Sequence, residues 1–202
     1  MQQIVRDRFE RFDSQRWRLE VERGEDSRVS VEQGALVMDT SAGMTLWLNQ
    51  PLGGAYRIAF QRQVLVQGQA NDRLSDLNCF WAAHEPGSTE LLPRDGVLES
   101  YDSLDTWYVG MGGNGNTTTR FRRYDGSERR PLLGEWLDAG HLLKAGHDYH
   151  IVIEVRATGT SFWVDGERVF HQALDDLPAP GYFGFRSVWS RQRIGDFTVQ
   201  AL

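Results

Sequence analysis

Residues 71–125 interleave two kinds of side chain. Aromatic residues recur at strand-like spacing: Phe80, Trp81, Tyr101, Trp107, Tyr108, Phe121 and Tyr124. Between them sit Asp72, Asp76, Asn78, Asn114, Asn116, Arg120 and Arg122, polar groups that a plain core does not need. Rings of this kind cover the apolar face of a pyranose, and Asn, Asp and Arg read its hydroxyls. A guanidinium also meets a carboxylate as a bidentate fork. The chemistry suited to this composition is recognition of a sugar, and of an acidic sugar such as a uronate in particular.

Alternate residues of a strand share a face. Thr118, Arg120, Arg122 and Tyr124 therefore project together, opposite Thr119, Phe121 and Arg123. By the same parity Asp76 and Asn78 align with Phe80, Trp47 with Asn49, and Tyr182 with Gly184 and Arg186. If these faces line one concave sheet, the groove is built from Trp47, Asn49, Asp76, Asn78, Tyr108, Arg120, Arg122, Tyr124 and Arg186. A single bulge would invert part of that set.

Two reaction types fit such a groove. A lyase neutralises the uronate carboxylate, here with Arg122 or Asn78, and uses a base and an acid drawn from Tyr108, Tyr124 and His141. A hydrolase needs an Asp/Glu pair across the scissile bond. Asp72, Asp76, Glu99, Asp102 and Asp105 are available, and Asp76 stands out because it lies inside an expected strand beside Asn78. Asp76 equally suits a permanent ion pair with Arg120 or Arg122. The catalytic candidates are thus Asp76, Tyr124 and His141. Neither reaction is required, since a non-catalytic lectin-like module would use the same groove. A third reading has the groove filled structurally, with the protein acting only by assembling with others.

No cofactor is expected. No His/Cys cluster has zinc spacing. Calcium is a weaker alternative, with oxygen ligands from Asn71, Asp72 and Asp76 or from Asn114 and Asn116, although polar turn chemistry explains those residues as well. Residues 110–115 are glycine-rich but lack the Lys-Ser/Thr ending of a phosphate loop. Cys79, the single cysteine, falls in an apolar strand and reads as a buried thiol. His84, His147, His150 and His171 have no better case than structure. Ser190-Arg191-Gln192-Arg193 is basic and reads as a solvated loop or one rim of the groove.

The elements that must position these groups are strands. Helical periodicity is scarce, and alternating segments separated by turn signals recur throughout. Strands are expected over 29–31, 35–38, 45–49, 56–66, 74–83, 107–111, 117–124, 149–156, 160–164, 169–170, 182–189 and 194–199. Glu32-Gln33-Gly34 and Asp165-Gly166 are hairpin signals, and the G-G-N-G-N run predicts a tight connection. Residues 132–143 suit a short helical turn or a loop carrying His141. Residues 89–104 are less regular and placed to cover one end of the groove. A chain of 202 residues with no repeat or linker is expected to form one domain, 1–202.

The formal net charge of −6 argues against a nucleic-acid partner. No apolar run is long enough to span a bilayer, so no membrane partner is expected. The charged N-terminus lacks the apolar centre of a signal peptide, and one cysteine suits a reducing compartment. The expected location is cytoplasmic.

The last third reads Y-H-I-V-I-E-V, F-W-V-D-G-E-R-V-F, P-G-Y-F-G-F-R-S and I-G-D-F-T-V. This order resembles the concanavalin A-like lectin/glucanase superfamily. The central N-D-R-L-S-D-L-N-x-F-W and G-G-N-G-N-T-T-T-R-F-R-R-Y stretches resemble a narrower group, the YesU-like bacterial proteins that accompany rhamnogalacturonan breakdown. The resemblance implies an all-β, two-sheet antiparallel jelly roll, a concave sugar-binding sheet and an oligosaccharide partner from pectin-type material. The E-x-D-x-x-E motif of retaining β-glucanases is absent, as are the R-x-E, Q-x-H and Y-x-K-x-G-x-Y motifs of jelly-roll alginate lyases. No catalytic residue is carried over.

Overall fold

Turn chemistry sets many of the strand ends. Gln33 and Gly34 both take left-handed φ (51° and 71°), as do Asp165 and Gly166 (50° and 86°). That pairing is the type I′ turn whose twist matches its flanking strands. The computed structural model describes residues 2–88, 90–127 and 129–202. Its strands are β1 (Gln3–Asp7), β2 (Trp17–Val21), β3 (Arg28–Glu32), β4 (Ala35–Leu48), β5 (Tyr56–Val64), β6 (Leu77–His84), β7 (Asp105–Gly112), β8 (Thr118–Asp125), β9 (Leu132–Trp136), β10 (Tyr149–Arg156), β11 (Gly159–Val164), β12 (Glu167–Ala173) and β13 (Tyr182–Ala201). Among the described residues no helix is long and apolar enough to cross a membrane.

The strands form a two-layered antiparallel jelly roll. The front layer runs β2-β4-β13-β6-β7-β8-β9, and the back layer runs β12-β11-β10-β5-β13-β4-β3, with β1 also paired to β13. β4 and β13 belong to both layers and pair with each other through a bulge between Val188 and Ser190. The core lies between the layers. Trp81 of the front stacks on Phe162 of the back at 6.2 Å, and Phe185 meets Phe60 edge-on at 5.0 Å. The Trp81 indole Nε1 donates to Thr160 Oγ1 across the same gap (2.9 Å). Odd-numbered residues of β6, β7 and β8 feed this core, including Cys79, Val109 and Phe121. Burial pushes the Cys79 thiol up to about 11, with the Arg62 guanidinium opposing, which suits a structural thiol.

Several expected elements change. The segments 182–189 and 194–199 are one strand, so the basic stretch 190–193 is sheet and not a loop or groove rim. Arg191 pairs opposite Asp39 and turns its guanidinium onto Asp72. The strands expected at 35–38 and 45–49 are likewise one strand, running from Ala35 to Leu48. Residues 132–136 form β9, followed by a 3-10 turn at Ala139–His141 in which the Gly140 N–H donates to the capping Asp138 side chain. The expected tight connection is Gly113–Asn116, left-handed at Asn114, Gly115 and Asn116. Thr89 of the irregular segment 89–104 lies outside the described residues.

The Asp72–Arg191 pair carries a testable pH dependence. Nε and Nη2 of Arg191 donate to the two Asp72 oxygens at 2.6 and 3.2 Å, and both side chains are almost wholly buried. Burial alone would raise the Asp72 pKa. The Arg191 fork and the backbone N–H groups of Gln67 and Gln69 outweigh it and hold the carboxyl at about 2. A carboxyl held below its unfolded value stabilises the fold above the unfolded pKa and loses that stabilisation as pH falls through the folded one. The shift corresponds to roughly 2 kcal/mol at neutral pH. Urea unfolding should therefore show Asp72→Asn less stable than wild type at pH 7, with the gap closing between about pH 4 and pH 2. A gap independent of pH would remove the ion pair as its cause.

Candidate functional site

Part of the outer face of the front sheet is filled by the chain itself. Residues 90–104 lie over β2, β4 and the start of β13, and Leu91, Tyr101 and Leu104 join Trp47, Phe80, Tyr108 and Tyr124 in a second apolar cluster. Glu20 of β2 ties it down. Its carboxylate accepts from Trp47 Nε1 (2.8 Å), Tyr101 OH (2.8 Å) and the Arg94 backbone N–H (3.0 Å). Gly96 packs so closely that a Cβ on Gly43 would stand 2.1 Å from its carbonyl oxygen. Arg186 Nη1 donates to that same oxygen and to Thr45 Oγ1, both at 2.9 Å.

This placement corrects part of the expected groove. Trp47 and Arg186 are on the predicted face but are 1% exposed beneath the covering segment. Asn49 lies past the end of β4, exposed, donating to Gln15 O. The aromatic row expected to cover a sugar ring is largely this second core, with Trp47 stacked on Phe80 at 5.5 Å and Phe80 against Tyr108 at 4.8 Å.

The uncovered part, over β7 and β8, holds a cleft of about 280 Å³. Its lining includes Asp76, Tyr108, Gly110, Thr118, Arg120, Arg122, Tyr124 and Arg130. The parity argument thus brings together Asp76, Tyr108, Arg120, Arg122 and Tyr124. Asn78 sits in the floor, 1% exposed, its Nδ2 donating to Asp76 Oδ1 at 3.3 Å. Gly110 opens that floor: a Cβ there would lie 3.3 Å from the Tyr108 OH and 3.5 Å from Asn78 Oδ1.

The charges divide into paired and available. Arg120 is paired with Glu135. Arg130 forks onto Asp102 at 2.6 and 2.9 Å. Asp76, left-handed at φ 62°, is paired with Arg73 and accepts from Ser75 Oγ at 2.6 Å. Its permanent partner is therefore Arg73, not Arg120 or Arg122. Arg122 Nη1 donates to the Arg130 carbonyl (2.6 Å), and among the described residues no carboxylate pairs with Arg122. Two buried polar atoms here, Asn78 Oδ1 and the Tyr124 OH, have no partner among the described residues. Burial pushes the Tyr124 phenol up to about 12, with the Arg130 cation opposing. Tyr108 is raised well above its usual value by burial, and further by Tyr124 and Asp76. Both phenols are proton donors at neutral pH, not bases.

His141 is not in the cleft. It follows the opposite face of β8, where Thr119 Oγ1 donates to its carbonyl (2.6 Å). Its ring stacks on Trp136 at 4.1 Å, with Nδ1 2.9 Å from Asp138, and it lines a separate cavity of about 170 Å³ with His147 and Tyr149. The carboxylates considered for hydrolysis are dispersed: Asp72 on Arg191, Asp102 on Arg130 and Asp105 on Arg123. Asp76 is the carboxylate that lines the cleft. Of the residues weighed for calcium, Asp72 and Asp76 are paired with Arg191 and Arg73, and Asn116 exchanges two hydrogen bonds with the Leu143 backbone. Among the described residues no three His, Cys, Asp or Glu side chains are grouped to hold a metal.

Sequence reasoning missed Arg130, Gly110 and Arg73. Arg130 lies outside any strand, so periodicity assigns it no face, and Arg73 reaches Asp76 through a turn. Gly110 had a legible signal, a side-chain-free position two residues from Tyr108 on the same face.

The fold has close counterparts among solved structures. A protein of unknown function with a galectin-like fold from Bacillus subtilis superposes with a TM-score of 0.78 at 14% identity, over 99% of this chain and 96% of that one. The Bacillus licheniformis β-glucanase gives 0.63 at 9% identity over 100% and 99%. The carbohydrate-binding module CBM66 from Bacillus subtilis gives 0.62 at 9% identity over 92% and 96%. At these identities the likeness is one of fold, the galectin-like and concanavalin A-like jelly roll. No curated protein sequence matches the chain. Residues 38–197 match the model of the domain of unknown function DUF6250, and the chain belongs to that family.

Proposed function

We propose that the cleft over β7 and β8 binds an acidic saccharide, a uronate-containing oligosaccharide of the pectin or rhamnogalacturonan type, without needing to cleave it. The observation that carries this is Arg122, a cleft-lining cation with no described carboxylate partner, together with the Tyr124 OH and, beneath Gly110, the Asn78 Oδ1, neither of which has a hydrogen-bond partner among the described residues. A uronate fits both demands, its carboxylate meeting the guanidinium and its hydroxyls the two buried groups. The cleft lies just below the ~300–1,000 Å³ of typical small-molecule sites, a size for a sugar unit or two. Carbohydrate-binding and glucan-cleaving proteins among the similar folds support a saccharide ligand in general. The acidic, pectin-type preference rests on Arg122 and on the resemblance of the central motifs. For β-elimination the cleft offers a neutralising cation and the Tyr124 proton donor, but the Asp76 carboxylate in its wall is tied to Arg73 and its phenols stay protonated. Binding is therefore what this geometry does best.

Thermal shift and calorimetry with oligogalacturonides, rhamnogalacturonan fragments and neutral gluco- and galacto-oligosaccharides test this. Acidic sugars should raise the melting temperature and neutral ones should not. Arg122→Ala should weaken acidic-sugar binding by about 10- to 100-fold, the range of a lost charge-assisted hydrogen bond. Gly110→Ala, which places a methyl in the floor without a left-handed φ to strain, should weaken it while leaving the fold intact. Stabilisation by neutral sugars alone, or undiminished affinity in Arg122→Ala, would overturn the reading.

A further inference from the structure

Trp189 occupies a position that the fold does not need an indole to fill. It sits at the bulge where β13 passes from the front layer to the back, with φ at 44°. A bulky residue enters that left-handed region only under constraint. Glycine or asparagine would take the same backbone at lower cost. The ring does not repay the strain by burial, since the residue is 47% exposed.

The constraint comes from Arg73. Its Nε donates to the Trp189 carbonyl and its Nη2 to the Val188 carbonyl, both at 3.1 Å, while Ser190 Oγ donates to the Arg73 carbonyl at 3.1 Å. The guanidinium lies over the indole, 4.9 Å from the ring centre. The same Nη2 is paired with Asp76 in the cleft wall. One guanidinium therefore bridges the indole and Asp76, a residue that lines the cleft, and ties the ring to the Asp76 side of the site.

We propose that Trp189, backed by Arg73, is a second saccharide subsite, whose exposed indole surface stacks on the sugar unit next to the one held at Arg122. This rests on the acidic-saccharide reading of the cleft and extends it to a ligand of at least two units. An indole covers the apolar C–H face of a pyranose, removing that surface from water. Here the ring is held before the ligand arrives, so little side-chain freedom is lost on binding.

Calorimetry with galacturonic acid, digalacturonate and trigalacturonate on wild type, Trp189→Ala and Trp189→Asn tests it. Asparagine tolerates the left-handed backbone, so that variant removes the ring and keeps the turn; its melting temperature should not fall below that of wild type. Wild type should gain about tenfold in affinity from one sugar unit to two or three, the scale of one aromatic contact. Both variants should bind the trimer no more tightly than the monomer. Retention of the length-dependent gain in Trp189→Asn overturns the subsite. Wild-type binding of galacturonic acid with no gain on lengthening overturns the subsite and spares the reading of Arg122. No binding of any acidic sugar by wild type overturns both.

Discussion

Arg62→Met should lower the melting temperature by about 10 °C, the largest stability loss expected from any single arginine in the chain. Arg62 projects from β5 into the space between the layers and is 1% exposed. Its Nη1 donates to the Asn78 carbonyl (2.7 Å) and its Nη2 to the Arg186 carbonyl (2.8 Å). Those two residues are the last pair in the β6–β13 register, so the guanidinium spans the point where the two strands part. Burial pulls its pKa down to about 10, with Cys79 opposing, and it stays protonated at neutral pH. Methionine matches the apolar stem but leaves two buried carbonyls without a donor, at about 1–3 kcal/mol each. Removing an unpaired buried cation returns part of that. The net loss should be roughly 3 kcal/mol, which for a domain of this size is 2–4 °C per kcal/mol. Urea unfolding measures it directly, and an unchanged midpoint would show that the carbonyls do not depend on Arg62. Because Asn78 also forms the cleft floor, Arg62→Met should weaken ligand binding even where the protein remains folded.

Glu20→Ala should be comparably destabilising, but locally. The Glu20 carboxylate is the shared acceptor for the Trp47 indole, the Tyr101 hydroxyl and the Arg94 N–H, and its side chain is 3% exposed. Its removal strands three buried donors in one step, a loss of roughly 3–5 kcal/mol. The Arg94–Glu85 pair at the near end of the segment stays, and so does the interlayer core. The expected result is a segment 90–104 that opens while the jelly roll persists, seen as faster hydrogen exchange and new proteolytic cleavage within it. Glu20→Gln keeps one acceptor oxygen and should fall between. Exchange that rises equally across the back layer would mean that Glu20 supports the whole fold and not the covering segment.

The covering segment also explains which site residues were legible. Parity along β8 correctly grouped Thr118, Arg120, Arg122 and Tyr124, and parity along β6 and β7 added Asn78 and Tyr108. A regular strand has a fixed period, so facing is a local property. The same rule put Trp47 and Arg186 on that face, also correctly, yet it carried no information about what lies above them. His141, expected at the groove, was misplaced for a different reason: it lies in a 3-10 turn, where the strand period does not apply, and the Thr119 hydrogen bond draws it to the opposite side.

Alternation and turn residues by themselves determined that this chain is all-β, where most of its hairpins fall and which side chains share a face. The run Y-F-G-F-R-S, with its apolar and polar neighbours alternating, is enough to assign Phe183 and Phe185 to one side and Arg186 to the other. Only the tertiary structure decided that β4 and β13 run through both layers, that residues 90–104 fill part of the outer face, and that Asp76 answers to Arg73 while Arg122 has no described carboxylate. Those outcomes depend on contacts between residues far apart in the chain, such as Gly43 with Gly96 and Arg62 with Arg186. Close approach and competition among arginines for the available carboxylates are settled by three-dimensional distance, which no local period encodes.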